Sequence, residues 1–346
     1  MMKLRRLLLI ILGLPLLLLL AAWVSSYASL DHGFSFSRST AELDHCQPGN
    51  SVGPDAALCL IEAGAFVFRA RTAGFGGGRG NVILLHGFPE SSAMYEPMIP
   101  VLARAGYQVV AFDQRGYSPG ARPSGVEAYA TGNLVADVFA VADAVGFDTF
   151  HLVGHDRGAA VGWQAVFEGS PRIRSWSALS IPHMGAYAAA IQSDADQQER
   201  SAYVRFFRLP RLPEMLFSFN GFAMMRSAIY SSHARKTVDE YIAIFSEPGA
   251  LTAAFNWYRA SDISDAPPGN LEVTVPTAFI WGNQDPVVGD RVVDAQRQYF
   301  SGSLRETELD TGHWLLETEP QAVIAAVLSH IEAHRESLRT LIVEPE

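Results

Sequence analysis

The chain has 346 residues, 49% of them apolar and 18% charged, with a net charge of −10. That length suits one large α/β domain carrying an insertion, with enough apolar content for a sizeable core. An acidic protein neutralises phosphates poorly, which excludes nucleic acid as a partner.

Residues 1–28 read as a targeting segment. Lys3, Arg5 and Arg6 precede an apolar run from Leu7 to Val24, and no acid occurs among them. The run suits either a membrane anchor, giving membrane association through residues 7–24, or a signal peptide cleaved after Ser26-Tyr27-Ala28. Both readings predict an exported protein, periplasmic or extracellular. Residues 29–63 carry weak signals and read as an irregular N-terminal arm. It holds the only two cysteines, Cys46 and Cys59; they are able to pair in an oxidising compartment, and two free thiols are the alternative.

Ala65–Ala70 reads as an early antiparallel strand. The glycine run Gly74 to Gly80 lacks a phosphate-loop lysine and reads as a turn. Val82–Leu85 and Tyr107–Phe112 have the continuous apolar character of buried parallel strands. Further strands are predicted at Phe150–Val153, Trp176–Leu179, Thr277–Trp281 and Arg305–Leu309. Helices are predicted at Tyr95–Ala105, Asn133–Val145 and Gln321–His334. Strands alternating with helices predict a doubly wound, mostly parallel α/β sheet, with functional residues at the carboxyl ends of the strands. Between 184 and 265 the rhythm gives way to helical, aromatic-rich sequence. The predicted organisation is a core at 64–183 and 266–346 with a helical cap at 184–265. His183, just before the cap, reads as a loop residue, with a place in the pocket lining as the alternative.

Gly154-His155-Asp156-Arg157-Gly158 lies between a predicted strand and the predicted helix Ala159–Phe167. A glycine-bracketed residue at such a turn matches a nucleophile elbow, here with aspartate where serine is usual; an ordinary turn is the other reading. A carboxylate attacks saturated carbon and leaves an alkyl ester on the enzyme, which points to epoxides or alkyl halides. Asp285, after the strand Thr277–Trp281, and His313, after the last strand, follow in the order acid then base. Asp285-Pro286 also suits a helix start, and His313 also suits a surface loop.

His86-Gly87-Phe88-Pro89 resembles the His-Gly-x-Pro oxyanion loop of epoxide hydrolases and dehalogenases of the α/β-hydrolase superfamily, and the resemblance runs from about Phe66 to the final helix. It implies an α/β-hydrolase fold, with the backbone N–H groups of Phe88 and Arg157 holding the oxyanion. Ser201 to Pro210 resembles the segment that carries one epoxide-polarising tyrosine, matching Tyr203. Asn256-Trp257-Tyr258-Arg259 resembles the segment carrying the other, matching Tyr258; a packing role is the alternative for both. Arg157 departs from the tryptophan that haloalkane dehalogenases and many epoxide hydrolases place after the nucleophile. Asp156-Arg157 resembles fluoroacetate dehalogenases, but their second arginine is replaced by Ala160. The expected activity is hydrolysis of a small hydrophobic epoxide to a diol, without metal or cofactor. A haloacid or haloalkane dehalogenase and a catalytically silent binding protein are the alternatives.

Overall fold

The computed structural model describes residues 36–46, 53–264, 267 and 270–335. The predicted targeting segment, residues 1–28, lies outside them. Eight strands form one sheet: β1 (Ala57–Ala63), β2 (Phe66–Ala73), β3 (Asn81–Leu85), β4 (Gln108–Phe112), β5 (Phe150–His155), β6 (Ile173–Leu179), β7 (Thr277–Gly282) and β8 (Leu304–Leu309). Their spatial order is β1-β2-β4-β3-β5-β6-β7-β8. β2 pairs antiparallel with β1 and β4, and the remaining pairs are parallel. The strands from β3 to β7 are buried on both faces almost throughout, because helices cover both sides.

Two expectations change. Part of the irregular arm is β1, registered against β2 from Ala57 opposite Thr72 to Ala63 opposite Phe66. Its strand signal is diluted because it is an edge strand, with Leu60 and Ile61 buried but Glu62 exposed. A helix, α1 (Phe36–Ala41), lies further back in the same stretch. The predicted helix Tyr95–Ala105 begins later, as α2 (Ile99–Arg104), after a short 3-10 turn over Ser92–Tyr95 that Ser91 caps. Pro97 supplies no N–H and stops a helix continuing from Tyr95, whereas Pro100 sits in the first turn of α2, where no N–H is needed. Cys46 and Cys59 form a disulfide.

α3 (Thr131–Ala144) and α4 (Arg157–Phe167) pack on the sheet. Between β6 and β7 the chain leaves the sheet for a helical layer: α5 (Met184–Ser193), α6 (Ala195–Arg200), α7 (Ala202–Phe207), α8 (Leu212–Met224), α9 (Arg235–Ser246) and α10 (Ala250–Arg259). It returns through β7, α11 (Asp290–Gln296), β8, α12 (Leu315–Thr318) and α13 (Pro320–Ala333). Buried charge ties this layer to the sheet. Arg69 of β2 bonds Asp113 at 2.7 Å and Glu240 of α9 at 2.9 Å, and Arg71 reaches Glu240 at 2.6 Å. Cutting such a set leaves an unpaired buried charge, typically a loss of about 3–5 kcal/mol.

Among the described residues no helix is long and apolar enough to cross a membrane. The expectation of an exported, signal-bearing or anchored protein is therefore corrected: nothing in the described fold supports it.

Candidate active site

β3, β5, β7 and β8 run parallel, so their carboxyl ends open on one edge of the sheet. Leu85 leads there into His86-Gly87-Phe88-Pro89, His155 into Asp156, Gly282 into Asp285, and Leu309 into His313. The parallel register brings together residues that lie more than a hundred positions apart.

Asp156 takes φ 48°, ψ −120°, a left-handed backbone that non-glycine residues rarely adopt, and it is buried. Such strain costs on the order of 1–3 kcal/mol and persists only where the surroundings enforce it. The enforcing contacts are tight. A Cβ on Gly158 would fall 2.3 Å from the Leu85 carbonyl oxygen. A Cβ on Gly87 would fall 2.5 Å from the Asp156 Cβ and 2.8 Å from its Oδ1. Glycine at both positions lets the elbow and the β3 loop close on each other.

That closeness sets the first polar contact. The Phe88 N–H donates to Asp156 Oδ1 at 2.9 Å. On the other oxygen, His313 Nε2 lies 3.5 Å from Asp156 Oδ2. His313 Nδ1 bonds Asp285 Oδ2 at 2.8 Å, while Asp285 Oδ1 accepts the Val287 N–H at 2.7 Å. Asp285 therefore both orients the imidazole and closes its own turn. Burial would raise the Asp156 carboxyl, but His313 and the Phe88 N–H hold it below the usual carboxylate range. Burial would lower His313, yet Asp285 and Asp156 together raise it well above its ordinary value. The resting pair is thus a carboxylate facing an imidazolium.

His86 points elsewhere. Its Nε2 accepts the Gln114 N–H at 2.9 Å, which leaves the proton on Nδ1 to donate to the Gly87 carbonyl at 2.9 Å. Burial lowers its pKa, so it is a neutral strut shaping the loop. Pro89 follows through a cis peptide bond, and its carbonyl accepts the Tyr230 hydroxyl.

Asp156 opens on a narrow cleft walled by Arg157, Ala160, Met184, Tyr187, Tyr203 and Tyr258 among others. Neither the Tyr203 nor the Tyr258 hydroxyl bonds another described residue, although Tyr187 bonds Ser201 at 3.3 Å. Burial raises both tyrosines well above their ordinary value, so each keeps its proton. The Arg157 side chain donates to the Trp257 carbonyl at 2.8 Å, and its guanidinium lies 4.9 Å over the Tyr258 ring. Its Nε has no hydrogen-bond partner among the described residues.

Several site neighbours escape sequence reading. Tyr187 is one aromatic among many in the cap. Glu90, the residue after the oxyanion loop, bonds His155 Nδ1 at 3.1 Å and His233 at 3.2 Å, and His155 Nε2 meets the His313 carbonyl at 3.0 Å. Burial would raise Glu90, but the two histidines hold it well below the usual range. Glu317 sits nearby, pushed well up by burial and by Glu90. Among the described residues, Glu90, His233 and Glu317 bring one metal-ligating atom each within 4.8 Å of one another, and Glu90 and His233 are already bonded to each other. The position of Glu90 in the loop was the only sequence signal for this group. His183, read as a loop residue, is the buried cap of α5; its Nδ1 accepts the Gly185 N–H at 3.1 Å.

A strand order of this kind, with a strained aspartate turn after β5 and an acid and a histidine after β7 and β8, is the build of an α/β hydrolase. The chain belongs to the α/β hydrolase fold family, whose model matches residues 80–320, and within that family it is epoxide hydrolase-like. It is 32% identical over 289 residues to epoxide hydrolase A of Mycobacterium tuberculosis (strain ATCC 25618 / H37Rv), covering 72% of this chain and 89% of the relative. It is 30% identical over 257 residues to epoxide hydrolase 4 of Mus musculus, covering 71% of each. The crystal structure of epoxide hydrolase A from Mycobacterium thermoresistibile superposes with a TM-score of 0.68 at 26% identity, over 81% of this chain and 99% of that one. The family match begins at residue 80, well past the segment that suggested export.

Proposed function

We propose that this epoxide hydrolase-like enzyme adds water to an epoxide through an ester on Asp156. The observation that carries the reading is the cavity itself. An ionised, backbone-anchored carboxylate faces two tyrosine hydroxyls that keep their protons and bond no other described residue. Tyr203 and Tyr258 donate to the epoxide oxygen and polarise one C–O bond. Asp156 attacks that carbon, the ring opens, and the alkoxide takes a proton from a tyrosine. Esterification removes the negative charge of Asp156, one of the two that hold the proton on His313, so the ring's proton affinity falls and its proton is given up, replacing through solvent the one the tyrosine lost. The neutral imidazole, oriented by Asp285, then takes a proton from water as that water attacks the ester carbonyl carbon. The Phe88 N–H, already on Oδ1, and the Arg157 N–H at the start of α4 stabilise the oxyanion. The diol leaves and Asp156 is restored. Arg157 acts through its side chain as a brace for Tyr258 and the Trp257 backbone.

In the same reading 184–265 is the cap, and the core is 64–183 with 266–346, extended back to include β1. The substrate is small and hydrophobic, matching a cavity wall of Ile181, Met184 and Ile263 beside the tyrosines. The haloacid alternative loses support from Ala160, which lines the cavity without charge, and from the engagement of Arg157 with Trp257 and Tyr258.

The test is diol formation from aryl and alkyl epoxides, with Asp156→Ala alongside. Diol from the parent and none from the variant is expected. Equal diol from both would remove Asp156 from its role. Silence from both, with halide released from haloacids by the parent alone, would replace the epoxide by a halide substrate.

A further inference from the structure

The large apolar side chains left exposed among the described residues all fall between residues 209 and 219 of the cap. They are Leu209 (43% exposed), Leu212 (49%), Met215 (46%), Leu216 (45%) and Phe219 (39%). Scattered exposed apolar residues are ordinary, whereas a contiguous set marks an interaction surface. Positions 212, 215, 216 and 219 follow the i, i+3, i+4, i+7 spacing of one helical stripe. Such a stripe normally faces a core. Here the core-facing side of α8 is a different one: Phe217 is buried, its ring 5.4 Å from that of Phe207 and 6.2 Å from that of Phe88. The segment is also set off from its neighbours. Arg211 enters it at φ 64°, and the helix breaks at Phe219–Phe222, where Asn220, Gly221 and Phe222 take positive φ.

Charge exposed around the stripe is predominantly positive. Arg205, Arg208 and Arg211 are exposed beside it, on a chain whose net charge is −10. The one acid of the helical stretch, Glu214, faces inward to Arg259, with contacts of 2.7 and 2.9 Å. Arg208 shares its charge with Asp262. A second copy docked here by two-fold symmetry would bring this arginine rim against its own image.

We propose that this face of the cap docks on an anionic lipid surface, with the stripe in the headgroup–acyl boundary and the arginines on lipid phosphates. The docking is independent of residues 7–24 and of the catalytic reading above. Its consequence for catalysis is positional. The opposite side of the same helix packs on Phe88, whose N–H holds Asp156, so an epoxide dissolved in lipid would meet the enzyme at the cap.

The experiment uses the full chain with Leu216→Cys labelled by a polarity-sensitive fluorophore; Cys46 and Cys59 are already bonded to each other. Labelled Glu332→Cys, on α13 of the core, is the control. Vesicles of 3:1 phosphatidylcholine:phosphatidylglycerol should shift the Leu216 label to the blue and leave the Glu332 label unchanged. Each unpaired arginine near an anionic surface raises partitioning about fivefold, so Arg205 and Arg211 give on the order of twenty-five-fold over pure phosphatidylcholine, with Arg208 already paired to Asp262. High salt, or replacement of Arg205, Arg208 and Arg211 by Gln, should remove that difference. The proposal is overturned by an unshifted label, by equal binding to neutral vesicles, or by an equal shift at Glu332. It is also overturned if the Leu216 label is already blue in buffer, whether from dimer, seen as doubled mass, or from cover by the chain itself. Thermal melts of the labelled proteins confirm that each is folded before it is read.

Discussion

Asp285→Asn should separate the two half-reactions. Both carboxylate oxygens of Asp285 are occupied as acceptors, from His313 Nδ1 at 2.8 Å and from the Val287 N–H at 2.7 Å. Asparagine offers one acceptor oxygen and one NH2 group, so one of these contacts becomes donor against donor. If the oxygen stays on Val287, the NH2 faces Nδ1 and forces the imidazole proton onto Nε2. That proton then points at Asp156, and the ring has no lone pair there to take a proton from water. If the oxygen stays on His313, the Val287 N–H loses its partner, at about 1–3 kcal/mol if it is buried. Either arrangement also removes the negative charge that stabilises the imidazolium formed during ester hydrolysis. The corresponding change in the serine-protease triad costs on the order of 10⁴ in rate. A loss of about 10³–10⁴ in ester hydrolysis is expected here, equivalent to ~4–5.5 kcal/mol. Ring opening should change far less, because Asp156 keeps its Phe88 N–H. Rapid quenching followed by intact-protein mass measurement should then show an adduct of one epoxide mass accumulating on nearly every molecule. An adduct that decays at the parent rate, or a ring-opening step slowed as much as hydrolysis, would refute the role given to Asp285.

Tyr203→Phe and Tyr258→Phe should each slow ring opening about 10²-fold in single turnover and the double variant more than 10³-fold, leaving ester hydrolysis unchanged; a double variant at full speed returns both tyrosines to packing. Gly87→Ala should lower stability by about 1–3 kcal/mol and diol formation with it, since the new methyl has no room beside Asp156; an unaltered melting temperature with full turnover contradicts the close approach. Stability should also fall in mild acid. His151, His183 and His330 are each pushed down to about 4 by burial, while an unfolded histidine titrates near 6.5. The unfolded chain therefore binds more protons between those values, so stability is full above pH 6.5 and declines as pH falls towards 4. Each residue contributes on the order of 2–3 kcal/mol to that decline. Urea midpoints at pH 7.5 and 4.5 measure it, and equal midpoints would show that these rings do not stay neutral in the folded state.

The local geometry of the candidate site was written in short segments, and that part was legible. A strained strand-to-helix turn needs glycine at its flanks, so Gly154 and Gly158 mark Asp156 within five residues of sequence. The order of Asp285 and His313 after it, and the apolar runs in β3, β4, β5 and β7, could be read from the chain itself. The family match bears out the α/β-hydrolase expectation that rested on these segments.

Other features needed the folded chain. β1 is a strand only because β2 offers it a partner, since its own residues are those of a half-exposed edge. Arg157 invited a comparison with carboxylate binding, yet its direction is set by the Trp257 carbonyl, a hundred residues away. Glu90, His155 and His233 form a buried hydrogen-bonded set only because the β3 loop, the elbow and the cap converge. The stripe at 209–219 has the spacing of a core-facing helix, and nothing in the sequence tells an inward stripe from an outward one. Backbone geometry constrains neighbouring residues and so leaves a trace along the chain. Burial, and the pairing of distant polar groups, depend on what arrives from elsewhere, which only the tertiary structure decides.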